Sequence, residues 1–460
     1  MTAPTIRVAG GQGFYGDHVV STKTLLDAGV DYLCLEALAE LTLAILQKDR
    51  QKDETKGFTK DLPAYLGVAL PHVADGRTKV ITNAGGINPV AAGRAAVETA
   101  KRLGISGIRI ATVVGDDLHG RLDQLPALDN LETGEPWSAF PSDTVLFANA
   151  YLGAGPIVDA LRDGADVVIT GRVADPSLFL APLIHEFGWQ PDDWDRLAAG
   201  IVVGHLCECS GQSTGGNFSG EWWTIAEPWK FAYPIAECAP DGTAVITKAP
   251  GTGGRVDFDT VRHQLLYEVH DPTAYVTPDV VADFTSLALD DLGDDRVRVS
   301  GVRGRPATDT YKALVAYPYG FSSESRVAFA WPDAYAKAKA AAHVFWERVA
   351  MAGLDGAVLE RHEEYFGVNA LGGATVALDD DLIDAAPEVV VRLAWRCADA
   401  VTAGRIGREM VPLALSAPPW GMTGTGRGMG GSPSELMGLW PTLVPKDLVD
   451  PGVRIDVVDV

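Results

Sequence analysis

Basic residues are scarce in this chain: 38 Lys and Arg stand against 61 Asp and Glu over 460 residues, a net charge of −23. Such a field repels nucleic acid and anionic membrane surfaces, so no nucleic-acid or membrane partner is expected. An anionic small ligand would need locally placed Arg, Lys or backbone N–H groups. Cysteine is sparse too, with an odd five (Cys34, Cys207, Cys209, Cys238 and Cys397) in apolar settings, which argues against a disulfide framework. No run approaches the roughly 18 apolar residues of a membrane span, and the N-terminus lacks a basic segment leading into an apolar one. A soluble, cytoplasmic protein is expected. HExxH and CxxC are absent, and the nine His form no recognisable triad. Neither a zinc-protease nor a dithiol redox reading is therefore available.

What is present is alternation. Up to about residue 205, short apolar runs (TIRVAG, DYLCLEAL, KVITNAGG, IRIATVVG, TVLFANA, DVVITGR, GIVVGHLC) alternate with helical patterns. Continuous apolar strands flanked by amphipathic helices predict an α/β domain over 1–229, largely a parallel sheet with helices on both faces, Rossmann-like or alternatively barrel-like. Strand-like and mixed segments then predict an α+β domain over 230–415, followed by a Gly/Pro-rich segment over 416–460.

Ligands of parallel sheets gather at the carboxyl ends of the strands. Gln12, Glu36, Asn83, Asp116, Asn149 and Arg172 follow predicted strands. Each is equally well read as a cap or turn residue. Arg172 and Asp175 could serve as anion clamp and base, or could simply pair with each other.

Gly11, Gly13 and Gly16 have the GxGxxG spacing of a dinucleotide turn, with Glu36 at the distance of a ribose-binding acid. Against this, DHVV separates the glycines from the next helix. Asn83 and Asn88 bracket Gly85 and Gly86, a combination suited to close backbone approach to a ligand. Gln212, Thr214, Gly215, Gly216 and Asn217 form a loop suited to an anion nest, or a tight structural turn. In a second glycine-rich loop, Gly253 and Gly254 precede Arg255 at a helix start, and no Lys-Ser or Lys-Thr follows, so ATP is not indicated. Were 205–209 a strand, His205, Cys207 and Cys209 would share a face as a possible metal set; with no fourth ligand, no metal is assigned. The topology predicts one cleft lined by the loops 11–16, 83–88 and 212–217, with Arg255 above it.

Taken in order, GFYGD, DYLCLEALAELTLA, VITNAGGINP, TGRVADPSLFLAPLIHEFGW, CSGQSTGGN and PGTGGRV resemble the AtuA-type family of acyclic terpene utilisation proteins. That resemblance implies a role in the breakdown of acyclic terpenoids through branched acyl-CoA thioesters. It also implies a small C-terminal module with a Ser-Gly-Asp-Lys-Gly signature, expected here from a separate polypeptide. The reading leans to an enzyme of branched acyl-CoA or carboxylic acid catabolism, a lyase or hydratase. In it Glu36, Asp116, Arg172 and Asp175 carry the chemistry, coenzyme A enters only as part of the substrate, and the protein is expected to form a homo-oligomer. The alternatives are a non-catalytic acyl-thioester or small-acid binding subunit and, more weakly, a nicotinamide-dependent oxidoreductase.

Overall fold

Local signals place most elements of the first half. Asn88 caps a helix through its side chain, which accepts the Ala91 N–H, and Pro89 opens that helix, as expected of a residue that lacks an N–H. Gly29 and Gly164, at φ +75° and +86°, turn the chain out of two helices and into the next strands, a conformation costly for other residues. A computed structural model describes residues 5–125, 128–373, 379–419, 423–424 and 430–460. Part of the Gly/Pro-rich stretch proposed from the sequence, residues 420–422 and 425–429, lies outside the described residues.

The strands β1 (Ile6–Gln12), β2 (Tyr32–Leu35), β3 (Lys79–Thr82), β4 (Arg109–Val114), β5 (Phe147–Ala150) and β6 (Val167–Thr170) alternate with helices. These are α1 (Val19–Asp27), α2 (Glu40–Lys52), α3 (Leu62–Ala74), α4 (Pro89–Leu103), α5 (Gly155–Arg162) and α6 (Ser177–Phe187). The strands β1, β2, β3, β6 and β4 lie side by side in that order, all parallel. Their inward residues, among them Leu33, Val80, Ile110, Val167 and Ile169, are fully or almost fully buried.

Three expectations are corrected. The sheet is mixed rather than largely parallel: Pro234–Cys238 (β7), Ala244–Lys248 (β8), Val297–Ser300 and Ala288–Asp291 extend it antiparallel beyond β1, and Arg454–Asp459 does so beyond β4. Residues 234–300, grouped by the sequence reading with a second domain, thus contribute four strands to the first sheet. β5 leaves that sheet and pairs with Ala313–Ala316. GIVVGHLC is no strand but the end of helix α7 (Trp194–Cys207), buried from Leu197 onward. An apolar run buried on every side has no period to distinguish helix from strand. Gly200 and Gly204, four residues apart, let α7 approach α6 and Pro176 more closely than a Cβ would permit.

The chain divides into two compact units. The first comprises residues 1–141, 145–316 and 440–460, and the second residues 142–144 and 317–439. In the second, residues 321–330 and Glu360–Phe366 pair antiparallel on either side of Glu388–Cys397. One face of these strands buries Val327, Val391, Leu393 and Trp395 against Phe345 and Ile406 of two helices.

Candidate functional site

Because β2, β3, β6 and β4 are adjacent and parallel, Glu36, Asn83, Arg172 and Asp116 follow them at one edge. Asn83 turns its Nδ2 to Glu36 Oε1 (2.9 Å), and Leu38 N–H reaches the same oxygen (2.6 Å). Both bonds fall on Oε1, leaving Oε2 as the oxygen available to a guest. Asn83 Oδ1 in turn accepts the Ala37 N–H at 2.7 Å. The Arg172 side chain, 3% exposed, lies over the Tyr151 ring at 4.1 Å and donates Nη1 to Asp175 Oδ1 (2.5 Å) and to the Leu38 carbonyl (3.0 Å). Its Nε is buried without a partner among the described residues.

Glu36, Leu38, Tyr151, Arg172 and Asp175 border a cavity of about 370 Å³ whose wall also includes Gly13, Glu40, Glu208, Cys209, Tyr267, Glu268, Tyr275 and Lys312; Asn83 is fully buried and lies outside that wall. Burial pushes the Glu36 carboxyl well above the ordinary range, aided by the Asp175 charge and opposed by Arg172. Burial raises Asp175 too, against the pull of Arg172. Glu40 goes the other way. Burial acts to raise it, but the Tyr151 hydroxyl (2.7 Å), Arg172 and Lys312 outweigh that and hold it at about 2. One cavity therefore holds glutamates driven in opposite directions, an arrangement that can assign proton donor and charge stabiliser to separate groups.

Glu208, Glu40, Tyr151, Tyr267, Glu268, Tyr275 and Lys312 are the wall residues that sequence reasoning passes over. For Glu208 a signal existed: on a helix His205 and Glu208 are i, i+3 neighbours. His205 Nδ1 lies 3.2 Å from Glu208 Oε1, and its Nε2 lies 3.0 Å from the Gln264 carbonyl. The strand-based metal set of His205, Cys207 and Cys209 is thereby removed, because helical spacing sends the three in different directions. Among the described residues no group of three or more His, Cys, Asp or Glu could hold a metal ion.

Other sequence-selected residues lie elsewhere. Asp116 sits behind the cavity, where its Oδ2 accepts the Arg172 and Asn149 N–H groups (2.8 Å each); burial raises it to about 6. Gly11 packs on Leu33 and Leu35, Gly85 on the Thr170 carbonyl, Gly86 on Leu46 and Gly253 on the Glu227 carbonyl. Buried Gln12 donates to Asp61 (3.1 Å), and Asn88, the helix cap, borders a different cavity of about 610 Å³. Thr214, Gly215, Gly216 and Gly254 border a third, of about 360 Å³, with Phe14, Gly16, Ile225 and Phe231. Gln212 bonds Gln264 (2.8 Å) and accepts from Asn217 (2.9 Å). Arg255 is held by Asp257 (2.5 Å) and Thr224 (2.6 Å).

The expected single cleft is therefore three cavities, and Arg255 borders none of them. The first glycine loop carries no dinucleotide turn: a Cβ on Gly10 would stand 2.0 Å from the Cys207 carbonyl oxygen and one on Gly13 2.1 Å from the Ser210 N. The chain after α7 fills the space a pyrophosphate would need. Gly211-Gln-Ser-Thr-Gly215 has the GxSxG spacing of a hydrolase elbow, which the sequence reading overlooks. Ser213 is buried with its Oγ donating to the Leu206 carbonyl, so it presents no nucleophile.

Fold and site define a mixed α/β protein with a polar, carboxylate-walled cavity at the carboxyl edge of its parallel strands. The chain belongs to the acyclic terpene utilisation family: the model for acyclic terpene utilisation family protein AtuA matches residues 6–455. No curated protein and no solved structure matches it. Among the described residues no helix is long and apolar enough to cross a membrane.

Proposed function

We propose that the protein is an enzyme of branched acyl-CoA or carboxylic acid breakdown, a lyase or hydratase, with its reaction in the cavity of Glu36 and Arg172. The observation that carries this is the pair of glutamates on one cavity wall, Glu36 driven well above the ordinary carboxylate range by burial and Glu40 held down at about 2 by Tyr151, Arg172 and Lys312. Addition or elimination next to a thioester carbonyl needs a proton carrier at the α-carbon and donors for enolate charge. Glu36 Oε2 supplies the first. Arg172 Nε, buried and without a partner among the described residues, supplies a donor that is already desolvated. Coenzyme A enters as part of the substrate. The acyl end belongs in this cavity, because five acidic side chains (Glu36, Glu40, Asp175, Glu208, Glu268) against Arg172 and Lys312 suit a neutral thioester better than phosphates.

The test is product analysis with branched enoyl- and 3-hydroxyacyl-CoA thioesters and their free acids. Interconversion or carbon–carbon cleavage that Glu36→Gln abolishes supports the proposal. Tight binding with no conversion by the wild-type protein would instead make it a thioester-binding subunit.

A further inference from the structure

The Glu208–His205 pair has no role in the function just proposed. The Gln264 main-chain oxygen can only accept, so the His205 Nε2 facing it at 3.0 Å carries a hydrogen. Gln264 is itself fixed, donating its side-chain N–H to the His205 carbonyl (2.8 Å) and accepting from Gln212 (2.8 Å). The other nitrogen, Nδ1, is 3.2 Å from Glu208 Oε1. Two bare lone pairs would repel at that separation, so one proton lies between these atoms. Whichever of the two holds it, Glu208 Oε2 is left without hydrogen. That oxygen is buried and has no partner among the described residues, on a side chain 9% exposed that forms part of the cavity wall. Arg172, which borders the same cavity, has a second buried atom without a partner among the described residues, its Nε, and that atom is a donor. The cavity is thus bordered by two residues that each carry a buried, unpartnered atom, one an acceptor and one a donor, a pairing complementary to a ligand offering a hydroxyl and a carbonyl oxygen.

We propose that Glu208 Oε2 receives the hydroxyl of a 3-hydroxyacyl ligand, with His205 as the positioning residue that fixes the other carboxyl oxygen. The proposal rests on the reading of this cavity as the acyl site. In the hydration direction, an O–H bond of water breaks as its proton passes to Glu208 Oε2, and the water oxygen bonds C3 of an enoyl thioester. The π pair moves to C2, which takes the proton of Glu36, while the proton between Oε1 and Nδ1 settles on Nδ1. The sum is enoyl thioester plus water giving 3-hydroxyacyl thioester, and solvent restores the two carboxyls. Elimination is the reverse. His205 packs against the adjoining Tyr275 and Phe284 rings, at 5.5 and 5.9 Å between centroids, and with both ring nitrogens engaged the imidazole has little freedom to swing away.

The experiment is calorimetric titration of the full chain with 3-hydroxybutanoyl-CoA and with butanoyl-CoA, which lacks only the hydroxyl. The wild-type protein is expected to prefer the hydroxylated ligand by at least about tenfold, because the deoxy ligand leaves a buried acceptor unpaired. Glu208→Leu should bring the ratio to within about twofold. Glu208→Gln, which can still present an amide oxygen, should retain most of the preference and guards against a folding defect in the leucine variant. His205→Phe keeps the ring packing and should lower the ratio, a quantity that general loosening of the site would not move selectively. A wild-type protein without preference, or a Glu208→Leu variant that keeps it, overturns the proposal. Preference without interconversion leaves the hydroxyl site standing and removes the hydratase reading; interconversion without preference does the reverse.

Discussion

Two cavities meet at the stretch of chain around Gly13 and Ser210, and they differ in how their polar groups are served. On one side, Phe14, Ile225 and Phe231 border a largely apolar space. Its one buried-side carboxylate, Asp17, is fully engaged by Tyr233 OH, by Ser210 Oγ (2.5 Å) and by the Gly13 and His18 N–H groups (3.0 and 2.7 Å). On the other side, Arg172 Nε and Glu208 Oε2 are buried without a partner among the described residues. Buried polar groups are ordinarily satisfied, which supports placing the proposed ligand in the second cavity. Of the glycines conspicuous in the sequence, Gly16, Gly215, Gly216 and Gly254 border the first cavity, while Gly11, Gly85, Gly86 and Gly253 serve close packing. The proposed reaction is assigned instead to scattered acidic and aromatic residues that form no motif.

That contrast can be broken at either cavity. The largest effect is expected from Glu36→Gln, which keeps an acceptor for Asn83 and Leu38 but cannot exchange a proton. Turnover should fall by about 10³-fold with KM changed less than about threefold, measured in steady state on whichever thioester the wild type converts. Retained turnover would remove Glu36 from the reaction.

Next comes Arg172→Met, which leaves Asp175 without its ion-pair partner and the Leu38 carbonyl without a donor. The loss should be about 3 kcal/mol of stability by urea unfolding. A loss below about 1 kcal/mol would show that the pair contributes little to holding the wall.

Asp116 gives a pH signature of similar or smaller size. Its folded value of about 6 exceeds the ordinary 3.8. The unfolded chain therefore ionises first as pH rises. Stability from this group is fully present below about 4, declines between about 4 and 6 by at most about 3 kcal/mol, and is flat above. Glu40, held at about 2, acts oppositely at lower pH, so the informative quantity is wild type minus Asp116→Asn across pH 4 to 7. A difference that does not vary with pH would contradict the raised value.

The smallest effect is expected at the glycine-rich side. Arg255→Gln removes a half-exposed pair with Asp257 and should cost about 0.5 kcal/mol, with turnover within about twofold. A large loss of turnover would return Arg255 to the site and erase the distinction between the two cavities.

Family membership, the alternation of β1 to β4 with their helices, and the strand-end positions of Glu36, Asn83, Asp116 and Arg172 were legible in the sequence. Local apolar periodicity, caps and glycine stops act over a few residues, and the carboxyl edge of a parallel sheet is fixed by chain direction. The antiparallel strands that widen the sheet were not legible, because pairing partners such as Ile6 and Cys238 are far apart in the chain and leave no local signal. The helical state of residues 194–207 was hidden for a different reason: a segment buried on every side shows no period. Glu40, Glu208, Tyr275 and Lys312 come to one wall from distant elements, and only tertiary packing makes them neighbours. What a residue does here depends on whether folding leaves its polar atoms satisfied, and that balance of desolvation and partnering exists only once the chain is packed.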